Sequence, residues 1–379
     1  MMPQSFHWFV LAGGLSPYTL RLWETVATRS SHAVTLAYIP RVRQSDFSHE
    51  RESMDSQSVE LVRVQSLKTV VNLALRCSRE PHAAIVCMGY SPVYNLFVSA
   101  LIRATRRKKQ SVFYMSDTNG IALAERASTS WIQGAALLAK RTAIGYTFAS
   151  SFDLGFSNAL AHRLQGIGES IHIPLLPVEF PAAMEAELSE TLAASVQGLP
   201  QPRLLTVARL VECKNLAGLV RAFARSTREG MPGSLTIVGE GPEREKIEPL
   251  MRQIPGRVIL AGAVPFAQSR RLFGAFDGMV MPSTIEPWGI VIVEGLGWGL
   301  PVLSSKQCGA GVSLALEVGD AVKLCGTSEE EIESSLQEFV RDLERHSLAA
   351  KSAAPRIRKK FGMVEVADGL IQLAGDKAE

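Results

Sequence analysis

The sequence MPSTIEPWGIVIVEGLGWGLPVLSS, residues 281–305, combines two glutamates with the pattern of a strand, a helix and a second strand. Glu286 lies in a loop with a proline and a glycine, which interrupt any helix that precedes them. The apolar run from Ile290 predicts a buried helix that carries Glu294 about one turn in. A carboxylate in an apolar helix is costly unless a polar partner satisfies it. The stretch therefore predicts a loop and a buried helix whose glutamates either bind hydroxyl groups or form a structural salt bridge.

The same alternation of apolar runs and helical patterns continues in both directions along the chain. Continuous β-branched runs predict parallel sheets that are covered on both faces and joined by right-handed crossovers. Because two such series occur, we predict an α/β protein with two Rossmann-like parallel-sheet domains facing a cleft. The predicted strands are 6–12, 32–39, 59–64, 83–89, 111–116 and 154–157 in the first domain, and 203–208, 234–239, 258–262, 278–283, 301–305 and 321–325 in the second.

The length of the chain, 379 residues, exceeds what one ordinary core accommodates, so two domains are expected. Residues 181–202 are bounded by prolines and lack a strand pattern, which predicts a linker between domains 1–180 and 203–360. The helical pattern of residues 361–379 follows a basic connector. This last helix can pack back on the N-terminal domain.

The composition, 46% apolar and 20% charged, is typical of a folded globular protein. The five cysteines are scattered and form no C-x-x-C pair, which argues against a disulfide framework and against a zinc site. No D-x-D pair is present to carry a divalent metal, so we expect neither a metal nor another cofactor. No apolar run reaches the roughly 18 residues that span a bilayer. These features together predict a cytoplasmic location.

Positive charge is concentrated in the first 110 residues, where cations outnumber carboxylates two to one. A basic cluster follows the apolar stretch LFVSALI in this region. The cluster can lie against anionic lipid, where each exposed cation contributes about 1 kcal/mol, or it can be a solvated helix end whose cations stabilise the helix dipole. Nothing in the pattern is typical of a nucleic-acid surface, so no nucleic-acid partner is expected. The cluster consists of Arg103, Arg106, Arg107, Lys108 and Lys109.

Two cations follow the first predicted strand of the second domain. In open parallel sheets, ligands bind at the carboxyl ends of strands, where loops lead into helix N-termini with unpaired amides. Arg209 lies just past the strand, and Lys214 precedes Asn215, which is a good N-cap residue for the next helix. Cations face the unfavourable end of a helix dipole at this place unless an anion joins them. A diphosphate would be such an anion; two surface cations without a role are the alternative.

Three further loops follow predicted strands, and a simple turn explains each of them as well as a ligand does. Gly13 and Gly14 allow close backbone approach but do not form a G-x-G-x-x-G motif. The VGEGPER turn, residues 238–244, opens another helix. Asp117 follows the fifth strand, where it can contact a sugar or an acceptor, or cap the next segment.

The second half of the chain resembles the retaining GT-B-fold glycosyltransferases of family 4, also called glycosyltransferase group 1. The resemblance extends over residues 203–325, and its specific part is the spacing of Glu286 and Glu294 with a glycine between them. Four segments carry it: VARLVECKN (207–215), IVGEGPER (237–244), VILAGAVP (258–265) and MPSTIEPWGIVIVEGLGWGLPVLSS (281–305).

The resemblance implies a role for each matching residue. Arg209 and Lys214 would neutralise the diphosphate of the donor as its bond to the sugar breaks, and Glu286 would bind hydroxyls of the donor sugar. Glu294 would bind the ribose hydroxyls, and the amides at the beginning of the next helix would hold the distal phosphate. The implied substrate-binding set comprises Gly13, Gly14, Asp117, Gly239, Glu240, Gly241, Val264, Pro287, Trp288, Gly289, Ile290 and Glu294.

The activity that the resemblance implies is the retaining, metal-independent transfer of a hexose-type sugar from a nucleotide-diphosphate sugar. The acceptor would be a hydroxyl of a glycan or lipid-linked glycan, in the synthesis of a cell-surface polysaccharide or glycolipid. Two positions depart from the family pattern: Asp117 replaces a common histidine, and LPVE (176–179) replaces N-P-V-D. A sugar-nucleotide epimerase or hydrolase with the same fold, and a non-catalytic nucleotide-sugar-binding relative, remain alternatives.

Overall fold

A computed structural model of the chain describes residues 6–12, 14–39, 56–80, 82–88, 111–116, 154–157, 170–171, 177–181, 188–269 and 271–378. The chain divides into two compact units, Met1–Pro177 with Phe361–Glu379, and Val178–Lys360. The predicted positions Gly13 and Asp117 and the basic cluster 103–109 lie outside the described residues.

The first unit contains a seven-stranded sheet in which every described pairing is parallel. The strand order is β3-β2-β1-β4-β5-β6-β7. Apolar side chains of the two central strands are buried on both faces, as the continuous apolar runs of the sequence require. The elements are β1 His7–Ala12, α1 Pro17–Arg29, β2 Ala33–Tyr38, β3 Glu60–Arg63, α2 Leu67–Arg79, β4 Ala83–Met88, β5 Ser111–Ser116, β6 Leu154–Ser157 and β7 Ser170–Ile171.

The second unit contains a six-stranded parallel sheet of order β10-β9-β8-β11-β12-β13. Its strands are β8 Arg203–Val207, β9 Ser234–Val238, β10 Val258–Gly262, β11 Gly278–Met281, β12 Val302–Ser305 and β13 Val322–Cys325. Its helices are α3 Glu190–Val196, α4 Leu216–Arg228, α5 Arg244–Met251, α6 Phe266–Ser269, α7 Ile290–Gly297, α8 Gly309–Val318, α9 Glu329–Arg341 and α10 Leu343–Phe361. The two parallel-sheet units confirm the predicted fold class.

The last helix, α11 (Met363–Ala378), belongs to the first unit. Its buried residues, among them Leu370, join one apolar cluster with Trp23 of α1 and Trp8 of β1. Arg29 of α1 also makes a two-bonded ion pair with Asp368 on this helix. The first domain therefore draws part of its core from the far end of the sequence.

Residues 181–202, the predicted linker, lie within the second unit. Their described part contains α3, which begins at a Ser189 side-chain cap and buries Leu192 and Val196. The division between the units falls earlier, between Pro177 and Val178. No described helix is both long and apolar enough to cross a membrane.

Candidate functional site

The topology of the second sheet defines a switch point between two adjacent strands. From β8 the chain adds β9 and β10 on one side, then returns to add β11 on the other side of β8. In open parallel sheets, ligands bind where the strand order reverses in this way, beyond the carboxyl ends of the strands. The loop after β8 contains Lys214, and the loop after β11 contains Glu286. The topology thus brings together two of the predicted site residues.

Lys214 and Glu286 form an ion pair between the Nζ ammonium and the Oε2 carboxylate oxygen. Only 13% of each side chain is exposed, so solvent screens this pair much less than a surface pair. The two residues are 72 positions apart in the sequence. A cation and a sugar-binding carboxylate candidate therefore share one partly dehydrated place at the switch point.

The backbone of the two loops is joined at Cys213, in the 3₁₀ turn Glu212–Lys214. The Cys213 carbonyl accepts hydrogen bonds from the amide of Thr284 at 2.9 Å, from its hydroxyl at 3.3 Å and from the amide of Ile285 at 3.5 Å. The Glu286 loop is also bonded to the first residue of α8, because the Glu286 carbonyl accepts a hydrogen bond from the amide of Gly309 at 3.1 Å. These bonds fix the backbone on both sides of the ion pair.

The beginning of α7 lies directly after this loop. Gly289 precedes the helix with φ 90° and ψ 67°, a left-handed conformation that side chains disfavour. A Cβ atom at this position would lie 3.1 Å from Cγ of Glu286, so the glycine also admits that side chain. The first amides of any helix lack an intrahelical acceptor and carry partial positive charge. The geometry therefore places the N-terminus of α7 beside Glu286, where an anion is favoured.

Glu294 lies in the middle of α7, as predicted, and is 4% exposed. This helix is closely packed. Gly295 approaches the side chain of Met279, and Gly297 approaches the side chain of Phe180. Trp288, just before the helix, is also buried, and its carbonyl accepts from the amide of Ala310 at 2.8 Å. A glutamate held in such surroundings keeps a fixed position, which suits selective binding of hydroxyls.

A buried thiol lies next to the ion pair. Cys308 forms a parallel bridge with Glu286 and precedes α8. Burial, and after it the charge of Glu286, raises the pKa of the Cys308 thiol to about 11. The thiol thus stays neutral at pH 7 and acts as packing, with weak contacts to Ser305 Oγ at 3.7 Å and the Met281 carbonyl at 3.8 Å.

The remaining cation, Arg209, is exposed on the same loop as Lys214. This loop is bonded to the next one, because the amide of Leu210 donates to the Glu240 carbonyl and the amide of Glu243 donates to the Leu210 carbonyl, both at 2.9 Å. A Cβ atom at Gly239 would lie 1.9 Å from the Ala208 carbonyl oxygen. This contact between the two loops requires a glycine at position 239, whether or not a ligand binds there.

Glu240 lies in the loop after β9, and Val264 lies in the loop after β10. Hydrogen bonding joins these two regions. The amide of Gly239 donates to the Gly262 carbonyl at 2.8 Å, which joins the loop after β9 to the end of β10. The Glu240 carboxylate pairs with Arg244 at 2.8 Å, and both side chains are well exposed. Val264 follows β10 and is half-buried. Pro287 lies in the loop after β11, Ile290 is the first residue of α7, and Gly241 lies in the loop after β9. Gly14 lies in the first unit.

Asn215 is the N-cap residue of α4, as predicted, but its side chain does not act as the cap. The sequence predicts that its side chain caps α4, but the side chain makes no capping hydrogen bond and the residue is left-handed, with φ 54° and ψ 35°. Its Nδ2 instead donates to the Thr327 carbonyl at 2.9 Å and to the Pro282 carbonyl at 3.4 Å. Asn215 thus takes the predicted N-cap position, while its side chain bonds to two carbonyl groups instead of to an amide of α4. Asparagine's tolerance of this conformation was the signal available in the sequence.

Within the described ranges, no group of three or more His, Cys, Asp or Glu side chains is placed to hold a metal ion. The chemistry available at the switch point consists of an ammonium, a carboxylate, helix amides and a buried glutamate. An ammonium and helix amides are groups that bind phosphate, and carboxylates accept hydrogen bonds from hydroxyl groups.

A family model described as glycosyl transferases group 1 matches residues 191–354. The lipopolysaccharide core biosynthesis glycosyltransferase LpsE of Rhizobium meliloti (strain 1021) is 28% identical over 186 residues, which are 46% of this chain and 50% of that protein. The alpha-D-kanosaminyltransferase of Streptomyces kanamyceticus is 27% identical over 196 residues, 51% of this chain and 48% of that protein. The chain thus spans about half the length of these curated relatives.

Two solved structures resemble nearly the whole chain. HepE of Anabaena in complex with UDP has a TM-score of 0.70 at 17% identity, covering 98% of this chain and 100% of that one. Sucrose-phosphate synthase of Thermosynechococcus elongatus has a TM-score of 0.68 at 16% identity, covering 97% and 98%. At such low identity these likenesses show the fold alone. The second half of the chain therefore matches the glycosyltransferase group 1 family, and the chain as a whole has the GT-B fold.

Proposed function

We propose that this protein is a retaining glycosyltransferase that moves a hexose-type sugar from a nucleotide-diphosphate sugar to a hydroxyl of a glycan or lipid-linked glycan. The observation that carries the proposal is the partly dehydrated Lys214–Glu286 pair at the switch point, beside the N-terminus of α7. The relatives named for lipopolysaccharide core and kanosamine transfer, and the fold neighbour solved with UDP, support a nucleotide-sugar donor.

The first step of the proposed reaction breaks the bond between the anomeric carbon and the diphosphate oxygen. Negative charge then develops on the diphosphate, and positive charge develops on the sugar ring. The ammonium of Lys214 has three N–H donors, so its bond to Glu286 leaves it able to donate to phosphate as well. Together with the amides at the start of α7, it would stabilise the departing diphosphate in the transition state. Arg209 on the same loop would add a second cation.

The second step forms a bond from the acceptor oxygen to the anomeric carbon on the same face of the sugar. The departing phosphate would accept the proton of the acceptor hydroxyl, which needs no nucleophilic side chain and no metal. Glu286 would hold hydroxyls of the donor sugar, and Glu294 would hold those of the ribose. Cytoplasmic synthesis of a cell-surface polysaccharide or glycolipid, at the inner membrane face, completes the proposal.

The test is the binding and slow hydrolysis of UDP-, GDP- and ADP-sugars by the purified chain. We expect one nucleotide family to bind, and Glu294→Gln to weaken it about 10- to 100-fold, the effect of one to two charge-assisted hydrogen bonds. Glu338→Gln is the matched control, because Glu338 lies on α9, is 46% exposed and pairs with Lys323. Activity should persist in EDTA, and NMR of the glycoside product should show the anomeric configuration of the donor.

If the chain binds none of these donors, the proposal is overturned. An inverted product would overturn the retaining step alone, and loss of activity in EDTA would overturn only metal independence. If Glu294→Gln and Glu338→Gln behave alike, Glu294 is a structural residue of α7 and the ribose contact lies elsewhere.

A further inference from the structure

The Lys214 loop contains an unusual backbone conformation. Of the non-glycine residues that the structure describes, Asn215 alone has a positive φ, 54°. Its main chain closes the 3₁₀ turn, because its amide donates to the Glu212 carbonyl at 2.9 Å, and its carbonyl accepts from the amide of Leu219 at 3.0 Å. Left-handed backbone costs free energy for residues other than glycine, least for asparagine and aspartate. Glycine would adopt this conformation at lower cost, so the presence of asparagine indicates that its side chain makes a contribution that glycine lacks.

The contribution of the Asn215 side chain consists of the hydrogen bonds that its amide group donates. Its Nδ2 donates to the carbonyl of Pro282, which is four residues before Glu286, and to the carbonyl of Thr327, which lies just before α9. The amide group thus connects the turn that carries Lys214 to the loop that carries Glu286. It acts alongside the Cys213 carbonyl, which bonds to the same loop at Thr284 and Ile285.

The neighbouring helix leaves space for this side chain. Gly218, in the first turn of α4, faces the Asn215 amide, and a Cβ atom there would lie 2.4 Å from Asn215 Oδ1. Gly218 has an ordinary helical φ, so its absent side chain is a matter of space and not of backbone conformation. The glycine and the asparagine consequently form one matched pair.

We propose that Asn215 is a positioning residue for Lys214, and that Gly218 admits it. By tying the Lys214 turn to the Glu286 loop, the Asn215 side chain holds the ammonium where it meets the diphosphate. The inference rests on the proposed function, since it concerns the donor that Lys214 would bind.

The central test measures how strongly the protein prefers a nucleoside diphosphate to the matching monophosphate. We would titrate UDP, GDP and ADP with their monophosphates against the wild type, Asn215→Gly, Lys214→Ala and the double variant. Glycine adopts the left-handed conformation without strain, and the substitution removes the side chain with its amide group. We expect Asn215→Gly to lower the preference for the diphosphate about tenfold, with little further effect when Lys214 is already alanine.

Gly218→Ala supplies a second route that leaves Asn215 in place. The added methyl group should displace the Asn215 amide and lower the same preference about tenfold, whereas it should change nothing in an Asn215→Gly background. Gly369→Ala on α11 is the matched control, because a Cβ atom there meets nothing within 4 Å. Thermal unfolding of each variant shows separately how far the fold is affected.

The outcomes separate the inference from the proposed function. If the wild type binds no nucleotide, the proposed function fails and this inference fails with it. If the wild type prefers the diphosphate and both Asn215→Gly and Gly218→Ala keep that preference, only the inference is overturned. The same holds if Asn215→Gly lowers the preference equally with and without Lys214. A drop in melting temperature with an unchanged preference assigns Asn215 a purely structural role and also overturns it.

Discussion

Removing one member of the Lys214–Glu286 pair should destabilise the loops around it. Lys214→Met removes the ammonium and keeps most of the apolar stem, and Glu286→Gln removes the charge and keeps the shape. Each side chain is 13% exposed, which places the pair between a surface pair, worth about 0.2–1 kcal/mol, and a fully buried one, whose breakage costs about 3–5 kcal/mol. We therefore expect each single substitution to lower the local opening free energy by about 1.5–3 kcal/mol.

The double variant is the decisive member of the set. Once both charges are removed, no half-dehydrated charge remains without its partner, so the double variant should be about as stable as either single variant. This corresponds to a coupling energy of about 1.5–3 kcal/mol, within the range found for contacting residues. The sign matters more than the size, because only a direct interaction makes the second substitution nearly free of cost.

Native-state hydrogen exchange resolved by peptide is the appropriate assay, because a chain with two units does not unfold in one two-state step. Peptides from residues 278–310 report on the loop and α7, and peptides from residues 6–29 of the other unit serve as the internal control. If the two single effects simply add in the double variant, or if the control peptides change as much as the loop, the ion pair does not stabilise this site.

Two predictions concern the first unit. Leu370→Ala on α11 should lower the unfolding free energy of this unit by about 2–5 kcal/mol, since Leu370 is fully buried. Leu316→Ala, on α8 of the second unit, is the exposed control and should change the stability of its own unit by less than about 0.5 kcal/mol, since Leu316 is 91% exposed. Equal effects in thermal unfolding would contradict the packing of α11. Hydrogen bonds from Arg76 hold the pKa of Glu60 below its usual range, so stability from this pair is present above the unfolded-state pKa of about 4.3 and is lost as pH falls through the folded-state pKa. The stability gap between wild type and Glu60→Gln, at most about 1 kcal/mol for a half-exposed pair, should narrow as pH falls from 6 to 3, and a gap independent of pH would contradict it.

The strands of both sheets were predictable because buried parallel strands consist of continuous apolar runs that end at glycine or polar residues. The residues 278–283 and 301–305 illustrate this, since β11 and β12 lie within them. The loop positions of Lys214 and Glu286 were predictable for the same reason, as each follows a strand. The strand β7 was not predictable, because two residues, Ser170 and Ile171, carry no periodicity.

The contacts between loops escape sequence reasoning for a different reason. The partners of Asn215 are carbonyl groups of Pro282 and Thr327, and every residue type presents such a carbonyl. No side-chain pattern records them, so a local rule for helix caps predicted the position of Asn215 but not the partners of its side chain. Likewise, the sequence left two explanations for Gly239, the close approach of a ligand or a simple turn. Only the proximity of the Ala208 carbonyl shows why the backbone requires a glycine at this position.

The arrangement of the switch point has a consequence for how catalysis could be achieved. Catalytic charges are most effective when they are fixed before the reaction, because reorienting them during it costs free energy. Here the ammonium of Lys214, the carboxylate of Glu286 and the beginning of α7 all belong to one unit. The ammonium and the carboxylate are paired with each other, and the loops that carry them are joined by hydrogen bonds to the Cys213 carbonyl. The cation does not need to be recruited when a donor arrives, since its position is already set by a neighbour of opposite charge. A donor diphosphate would then gain the attraction of Lys214 while Glu286 turns part of its hydrogen-bonding capacity to the sugar, so one ion pair can serve both ends of the bond that breaks.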